Sequence, residues 1–142
     1  MPRPAKLAAP KPKRKSPPHP FLLEALAPLG PEVRPMFSGY AVYIGDKIVA
    51  MLRDHAKSPQ DNGMWLVLSD TVDPASPALR KEFPSIRNID LLGGAIHHWL
   101  ILPADSPNFE SESLRACDLI LARDPRIGRI PKSRQKPTRP KR

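Results

Sequence analysis

The hydrophobic residues between positions 21 and 125 fall into short blocks that are separated by Pro, Gly and polar residues. Three blocks have the spacing of amphipathic helices, in which apolar side chains recur every three or four residues. These predicted helices cover residues 21–26, 77–83 and 111–122. In the last of them Leu114, Cys117 and Leu121 fall on one stripe, so we expect that stripe to lie on a core.

Five further blocks are rich in aromatic and β-branched residues, which favour an extended backbone. They predict strands over residues 36–44, 48–53, 64–68, 86–92 and 97–102. The first of these strands is expected to be bent or bulged at Gly39. The elements follow in the order helix, three strands, helix, two strands, helix. This order predicts the α+β class, with a central antiparallel β-sheet of about five strands and short helices packed on it.

The apolar pattern of three predicted strands also says how the sheet is covered. Residues 48–52, 64–68 and 99–102 are apolar at odd and even positions alike. An antiparallel sheet with one face in water normally alternates apolar and polar residues. We therefore expect both faces to be covered, although three short helices suffice for only one of them. We predict that a second copy of the chain covers the other face, in a homodimer.

The charges divide the chain more sharply than its net charge of +9 suggests. Residues 1–20 carry six basic side chains and residues 126–142 carry eight, and neither segment has an acidic one. Residues 21–125 hold nine basic and fourteen acidic side chains. Both ends are rich in proline and poor in large apolar residues, a composition that does not form a core. We predict one folded domain over 21–125 between two disordered basic tails.

Two basic tails beside an acidic domain are typical of a protein that contacts phosphates. Lys and Arg displace counterions from a nucleic-acid backbone, whereas base stacking needs aromatic residues, which the tails lack. We expect non-specific association with nucleic acid through its phosphate backbone; inert tails and binding to other polyanions are the alternatives. The residues predicted to make these contacts are Lys11, Lys13, Arg14, Lys15, Arg129, Lys132, Arg134, Lys136, Arg139, Lys141 and Arg142.

Several classes of protein do not fit this sequence. No apolar run approaches the roughly 20 residues of a membrane span. No apolar stretch of signal-peptide length follows the basic N-terminus. Cys117 is the single cysteine and has no partner for an internal disulfide, as is usual in a reducing compartment. We predict a cytoplasmic protein that makes no contact with membranes.

The residues that could carry chemistry form no recognisable constellation. His97 and His98 are adjacent on a predicted strand, so their side chains point to opposite faces and do not share one metal ion. Cys117 lies on the apolar stripe of the last helix, where a buried thiol is inert. Gly93-Gly94 lacks the third glycine of a phosphate-binding loop and predicts a hairpin turn. The sequence therefore predicts no catalytic residue, no cofactor and no metal site, and so a protein that is not an enzyme.

The run Met36-Phe37-Ser38-Gly39-Tyr40-Ala41-Val42-Tyr43 resembles the opening strand of the TfoX N-terminal domain family, the module of the TfoX/Sxy competence regulators. In that family a hairpin leads to an apolar strand, here residues 46–52, and a late tryptophan-containing strand ends at proline, here residues 98–103. Ser38 and Ala41 stand where the family has glycine. The resemblance implies an α+β domain with a central antiparallel sheet, and it transfers no catalytic residue.

Residues and resemblance together favour a non-enzymatic binding or regulatory module whose basic tails associate with nucleic acid. A first alternative is a protein-interaction domain, an adaptor or dimerisation module, in which the tails are incidental. A second alternative is a small ligand-binding domain or enzyme with a pocket near Tyr40, His98 and Trp99. Nothing in the sequence identifies a protein partner.

Overall fold

The computed structural model describes residues 16–93 and 98–131. Its helices are α1 (Pro20–Leu26), α2 (Pro77–Glu82) and α3 (Phe109–Leu121). Its strands are β1 (Glu32–Met36), β2 (Gly39–Ile44), β3 (Lys47–Arg53), β4 (Gly63–Val67), β5 (Arg87–Asn88) and β6 (Trp99–Pro103). They form one antiparallel sheet in the order β1-β2-β3-β4-β6-β5. The predicted α+β class is confirmed, with six strands in the sheet.

The predicted strand 36–44 is a hairpin of two strands rather than one bent strand. Met36 pairs with Gly39, so only Phe37 and Ser38 form the turn between β1 and β2. The hydrophobic pattern does not predict β1, because this short strand contains Pro35 and exposed charged residues. It lies at the edge of the sheet, where a residue without an N–H group is tolerated.

The predicted strand 86–92 is likewise shorter than expected. β5 ends at Asn88, and a 3₁₀ turn, Asp90–Leu92, takes the place of its second half. The buried carboxylate of Asp61 accepts hydrogen bonds from the N–H groups of Asp90 (3.1 Å) and Leu91 (2.8 Å). These hydrogen bonds give two N–H groups of the turn their partners, so the backbone does not continue as a strand. Gly94 and His97 lie outside the described residues.

The three helices of residues 16–93 and 98–131 lie on one face of the sheet and build the larger part of the core with it. Leu22 and Leu26 of α1, Leu79 of α2 and Cys117 of α3 all belong to this core. The strands contribute the alternate side chains that point to the same face, among them Ala50, Leu52, Met64, Leu66, Leu100 and Leu102. The helix stripe predicted to face the core does so at Cys117, which is fully buried.

The second face of the sheet is closed within a single copy of the chain. Trp65 is 2% exposed and Met51 is 0% exposed, although no helix of the described residues lies over them. Ile89 from the segment before the 3₁₀ turn packs on them, and the Trp99 ring meets the Trp65 ring edge-on at 6.1 Å between centroids. An uncovered second face was the reason to predict a homodimer. That reason no longer applies, and the homodimer itself stays a prediction.

The fold continues beyond the predicted boundary at residue 125. The segment 126–131 bridges β3, where Arg129 pairs with Ile48, and the residue after β4, where Ile127 pairs with Leu68. β3 and β4 pair with each other only from Ala50 onward, so the segment fills the gap between their ends. It satisfies backbone groups there that would otherwise be buried without partners.

The fold also begins before the predicted boundary at residue 21. α1 starts at Pro20, and the ring of His19 contacts the ring of Phe109 edge-on, with 5.1 Å between centroids. Nε2 of His19 lies 3.1 Å from the carbonyl oxygen of Arg53. Residue 16, the first that the structure describes, is thus close to the end of β3.

Candidate nucleic-acid interface

The charged residues are divided between the folded part of the chain and its two ends. The described residues carry eleven basic and fourteen acidic side chains, a net charge of −3. The other twelve of the 23 Lys and Arg residues lie in residues 1–15 and 132–142, which contain no Asp or Glu. The net positive charge of the chain therefore lies in the two terminal segments and not in the folded part.

One predicted phosphate contact, Arg129, lies within the described residues. Its backbone exchanges two hydrogen bonds with Ile48, and its guanidinium donates a hydrogen bond to the carboxylate of Asp70. Arg129 thus belongs to the folded part, and an acidic partner offsets its charge. The ten other predicted contacts lie outside the described residues: Lys11, Lys13, Arg14, Lys15, Lys132, Arg134, Lys136, Arg139, Lys141 and Arg142.

A second arginine of the segment 126–131 is engaged in the same way. The guanidinium of Arg126 donates to Glu82 at 3.1 Å and to Asp124 at 3.0 Å. The hydrogen bond from Arg126 lowers the pKa of the Asp124 carboxyl, and the same pairing raises the pKa of the guanidinium. These contacts hold the segment on the fold and reduce the positive charge that it presents.

Arg53 is a buried cation that organises the loop after β3. Arg53 is 1% exposed, and among the described residues it forms no ion pair with a carboxylate. Four neutral oxygens accept hydrogen bonds from its guanidinium: Oγ of Ser38 (2.8 Å), Oδ1 of Asn62 (2.9 Å) and the carbonyls of Ser58 (2.8 Å) and Lys57 (2.6 Å). Arg53 therefore joins the β1–β2 turn to the loop 54–62.

Two buried carboxylates are also committed to structure. Asp61 fixes the 3₁₀ turn described above and receives a hydrogen bond from Nη1 of Arg87 at 3.3 Å. Glu112 accepts hydrogen bonds from both the N–H group (3.1 Å) and the hydroxyl (2.8 Å) of Ser85. The Ser106 hydroxyl lies 2.8 Å from that of Ser85. These groups connect separate loops to the core.

The thiol of Cys117 is held in an apolar environment. Burial raises its pKa to about 12, and the charge of Asp118 acts in the same direction. Its Sγ is 3.8 Å from the carbonyl oxygen of Leu22 on α1. A thiol with this pKa is almost fully protonated near neutral pH and is a poor nucleophile.

The structure does not bring together the pocket residues that the sequence suggested. Tyr40 pairs with Leu52, which points to the helix-covered face, whereas Trp99 packs on the second face. Cross-strand partners share a face, so Tyr40 and Trp99 lie on opposite sides of the sheet. Tyr40 and Trp99 therefore do not line one common pocket. His98 is half-buried, and its carbonyl accepts a hydrogen bond from the N–H of Leu68 at 2.7 Å.

A small cavity lies elsewhere, between the start of β3, the end of α3 and the segment 126–131. Its volume is about 90 Å³, and four aliphatic residues line it together with Lys47, Arg123 and Asp124. Sites for small molecules are usually about 300–1,000 Å³. This cavity is thus too small to hold a typical substrate.

Neither a metal site nor a membrane span is found in the described part of the chain. Within residues 16–93 and 98–131, no three His, Cys, Asp or Glu side chains are grouped as metal ligands would be. No helix of those residues has the length and apolar character needed to cross a membrane.

Searches against protein-family models, curated proteins and solved structures find no match to this chain. The resemblance to the TfoX N-terminal domain therefore stays an expectation from the sequence. What the geometry offers for function is a compact acidic fold between two strongly basic terminal segments. It also offers an exposed aromatic residue, Phe37, which the sequence pattern alone places inside a strand.

Proposed function

We propose that this chain is a non-enzymatic binding module that associates with nucleic acid through the basic residues of segments 1–15 and 132–142. The observation that carries the proposal is the segregation of charge, twelve basic and no acidic side chains in these segments against −3 in the described residues. Such association is driven by release of counterions from phosphates and is insensitive to base sequence. A cytoplasmic location belongs to the same proposal.

The state of the polar groups in the fold supports a role in binding rather than catalysis. Arg53, Asp61 and Glu112 are buried, and their hydrogen bonds go to loops and turns of the same chain. The raised pKa of the Cys117 thiol keeps it protonated near neutral pH, and the cavity of about 90 Å³ is smaller than a typical substrate site. The resemblance to a regulatory module is consistent with this role.

The points where the two segments join the fold favour contacts with several phosphates at once. Residue 16 lies near the Arg53 end of β3, because His19 contacts the Arg53 carbonyl. Residue 131 lies near the other end, because Arg129 pairs with Ile48. Ile48 and Arg53 are five positions apart along β3, which corresponds to about 17 Å. A duplex carries one phosphate charge per about 1.7 Å of its axis, so about ten charges lie within that span.

The test is the salt dependence of binding to a labelled random duplex, measured by fluorescence anisotropy on the full chain and two variants. One variant replaces Lys11, Lys13, Arg14 and Lys15 by Gln, and the other replaces Lys136, Arg139, Lys141 and Arg142 by Gln. The slope of log K against log salt is negative, and each lost phosphate contact reduces its magnitude by about 0.9. Each variant is therefore expected to lose about 3.6 from the slope.

A matched control replaces Arg34, Lys57, Lys81 and Arg123, four exposed basic residues of the folded part, by Gln. This control is expected to bind with nearly the slope of the unmodified chain. Equal losses in the control and in the segment variants would assign binding to net charge instead of the terminal segments. Absence of duplex binding at about 50 mM salt would reject the proposal and favour the adaptor alternative.

A further inference from the structure

Phe37 is an aromatic residue in a position where its side chain is not used by the fold. It is 80% exposed, the most exposed of the large hydrophobic residues in the described part of the chain. Its neighbour Met36 packs on the second-face core, whereas Phe37 projects from the two-residue turn between β1 and β2. An exposed phenyl ring gains nothing from the hydrophobic effect in the folded chain.

The backbone of Phe37 makes its presence in the turn more unusual. Its φ is +55°, in the left-handed region where a side chain is unfavourable and glycine is preferred. Both the exposed ring and the strained backbone disfavour phenylalanine here. Because residues in a strained backbone conformation cluster at functional sites, the turn is a candidate for an intermolecular contact.

The turn that presents Phe37 is held rigidly. The hydroxyl of Ser38 accepts a hydrogen bond from Nε of the buried Arg53 at 2.8 Å. On the other side, Met36 and Gly39 pair across the two-residue turn. A ring presented from a fixed backbone loses little conformational freedom when it binds a partner.

Positive charge joins the fold at the same end of the sheet. The carbonyl oxygen of Arg53 contacts His19, which lies three residues after residue 16, and Arg53 pairs with Gly39 at the end of the Phe37 turn. Paired residues of antiparallel strands are about 5 Å apart between Cα atoms. The segment 1–15, with six basic residues and no acidic one, therefore joins the fold near Phe37.

We propose that Phe37 stacks on an unpaired base of the nucleic acid that the chain binds, which must then be single-stranded. This inference rests on the proposed function and adds to it the class of nucleic acid. Basic residues that bind phosphates, together with an exposed aromatic ring, are the combination that binds single strands without sequence preference. In a duplex the bases already stack on each other, so a single ring at a turn finds no face to cover.

The experiment measures binding of the full chain to a labelled oligothymidylate of about 16 nucleotides, and to its duplex, by fluorescence anisotropy. The variants are Phe37→Gly, Phe37→Leu and Phe37→Tyr, with Leu91→Ala as a control that removes a partly exposed apolar side chain at the opposite edge of the sheet. Loss of one stacked base weakens binding about 5- to 150-fold. We expect this loss for Phe37→Gly and Phe37→Leu with the single strand only.

The other readouts separate stacking from its alternatives. Phe37→Tyr and Leu91→Ala are expected to keep the affinity of the unmodified chain, and all four variants are expected to keep its salt slope. Phe37→Gly relieves the strained backbone, so its thermal midpoint should equal or exceed that of the unmodified chain. A lower midpoint would remove the basis for this inference.

Three outcomes overturn the proposal. If Phe37→Gly binds the single strand as tightly as the unmodified chain, Phe37 does not stack on a base, while salt-dependent binding of the chain would still support the proposed function. If Phe37→Gly loses affinity but Phe37→Leu does not, the contact is apolar and not aromatic, as expected for a pocket on a protein. If the unmodified chain binds neither probe, both proposals fail together.

Discussion

Replacement of Arg53 by Met is expected to destabilise the fold by about 2–4 kcal/mol. Hydrogen bonds to a charged group contribute about 1.5–3 kcal/mol each, and the guanidinium makes four. Two effects make the net loss of stability smaller than the sum of these four hydrogen-bond energies. Lys57 is exposed and Ser58 is half-buried, so water replaces part of what their carbonyls lose. Removal of a buried cation without a carboxylate partner also recovers desolvation energy.

The assay is urea unfolding of the full chain, followed by tryptophan fluorescence. With a slope of about 1.5–2 kcal/mol per molar urea, the midpoint should fall by about 1–2 M. Arg53→Lys keeps the charge but has a single nitrogen, which does not reach acceptors that three guanidinium nitrogens now serve. It is expected to lose at least about 2 kcal/mol.

The control for Arg53 is Arg34→Met on β1. Arg34 is exposed and pairs with Glu32 at 2.7 Å, and an exposed pair of this kind contributes about 0–1 kcal/mol. If Arg53→Met unfolds within about 0.5 kcal/mol of the unmodified chain, the hydrogen bonds of Arg53 do not stabilise the fold. If Arg53→Lys unfolds at the midpoint of the unmodified chain, the charge matters and the shape of the guanidinium does not.

Two further predictions test the packing of β4 and the attachment of the segment 126–131. Gly63→Ala is expected to lower the free energy of unfolding by about 3 kcal/mol or more, since a Cβ there would lie 2.2 Å from the carbonyl oxygen of Leu102 at a φ of +143°. The control is Gly45→Ala, at a φ of +63° in open space, which should lower it by about 1 kcal/mol. Equal losses of unfolding free energy in urea would contradict the steric argument. The lowered pKa of Asp124 means that its pairing with Arg126 stabilises the fold above the ordinary carboxyl pKa and is lost as the pH falls below about 4. Asp124→Asn should therefore lower the thermal midpoint more at pH 7 than at pH 3, and a difference that does not change with pH would refute the role of the ion pair.

The elements that the sequence predicts well are those whose local pattern agrees with their surroundings. β3, β4 and β6 are runs of apolar residues buried on both faces, and α3 has a clear stripe. β1 and the 3₁₀ turn at Asp90 depend on distant partners. β1 needs the edge of the sheet beside β2, and the turn needs the carboxylate of Asp61, about 30 residues earlier in the chain. A local pattern does not contain that information.

The features of the candidate site also differ in whether the local sequence predicts them. The positive charge of both ends is a property of composition and is evident from the sequence. The pairing of Arg129 with Asp70 is not, because 59 positions separate the two residues. Phe37 lies within an apolar run, which predicts burial, and only the pairing of Met36 with Gly39 places it outside the core.

Arg53 and Phe37 differ in whether stability explains the residue that is present. A charge buried at Arg53 is unusual, yet its four hydrogen bonds explain it within the fold. Phe37 lies next to Ser38, one of those four acceptors, and has no such explanation: its φ of +55° costs about 1–2 kcal/mol relative to glycine. The same arginine that stabilises the loop also fixes the turn that presents the ring. The internal hydrogen bonds therefore account for the position of the turn, whereas nothing within the described residues accounts for its aromatic side chain, and the proposed contact with a base would do so.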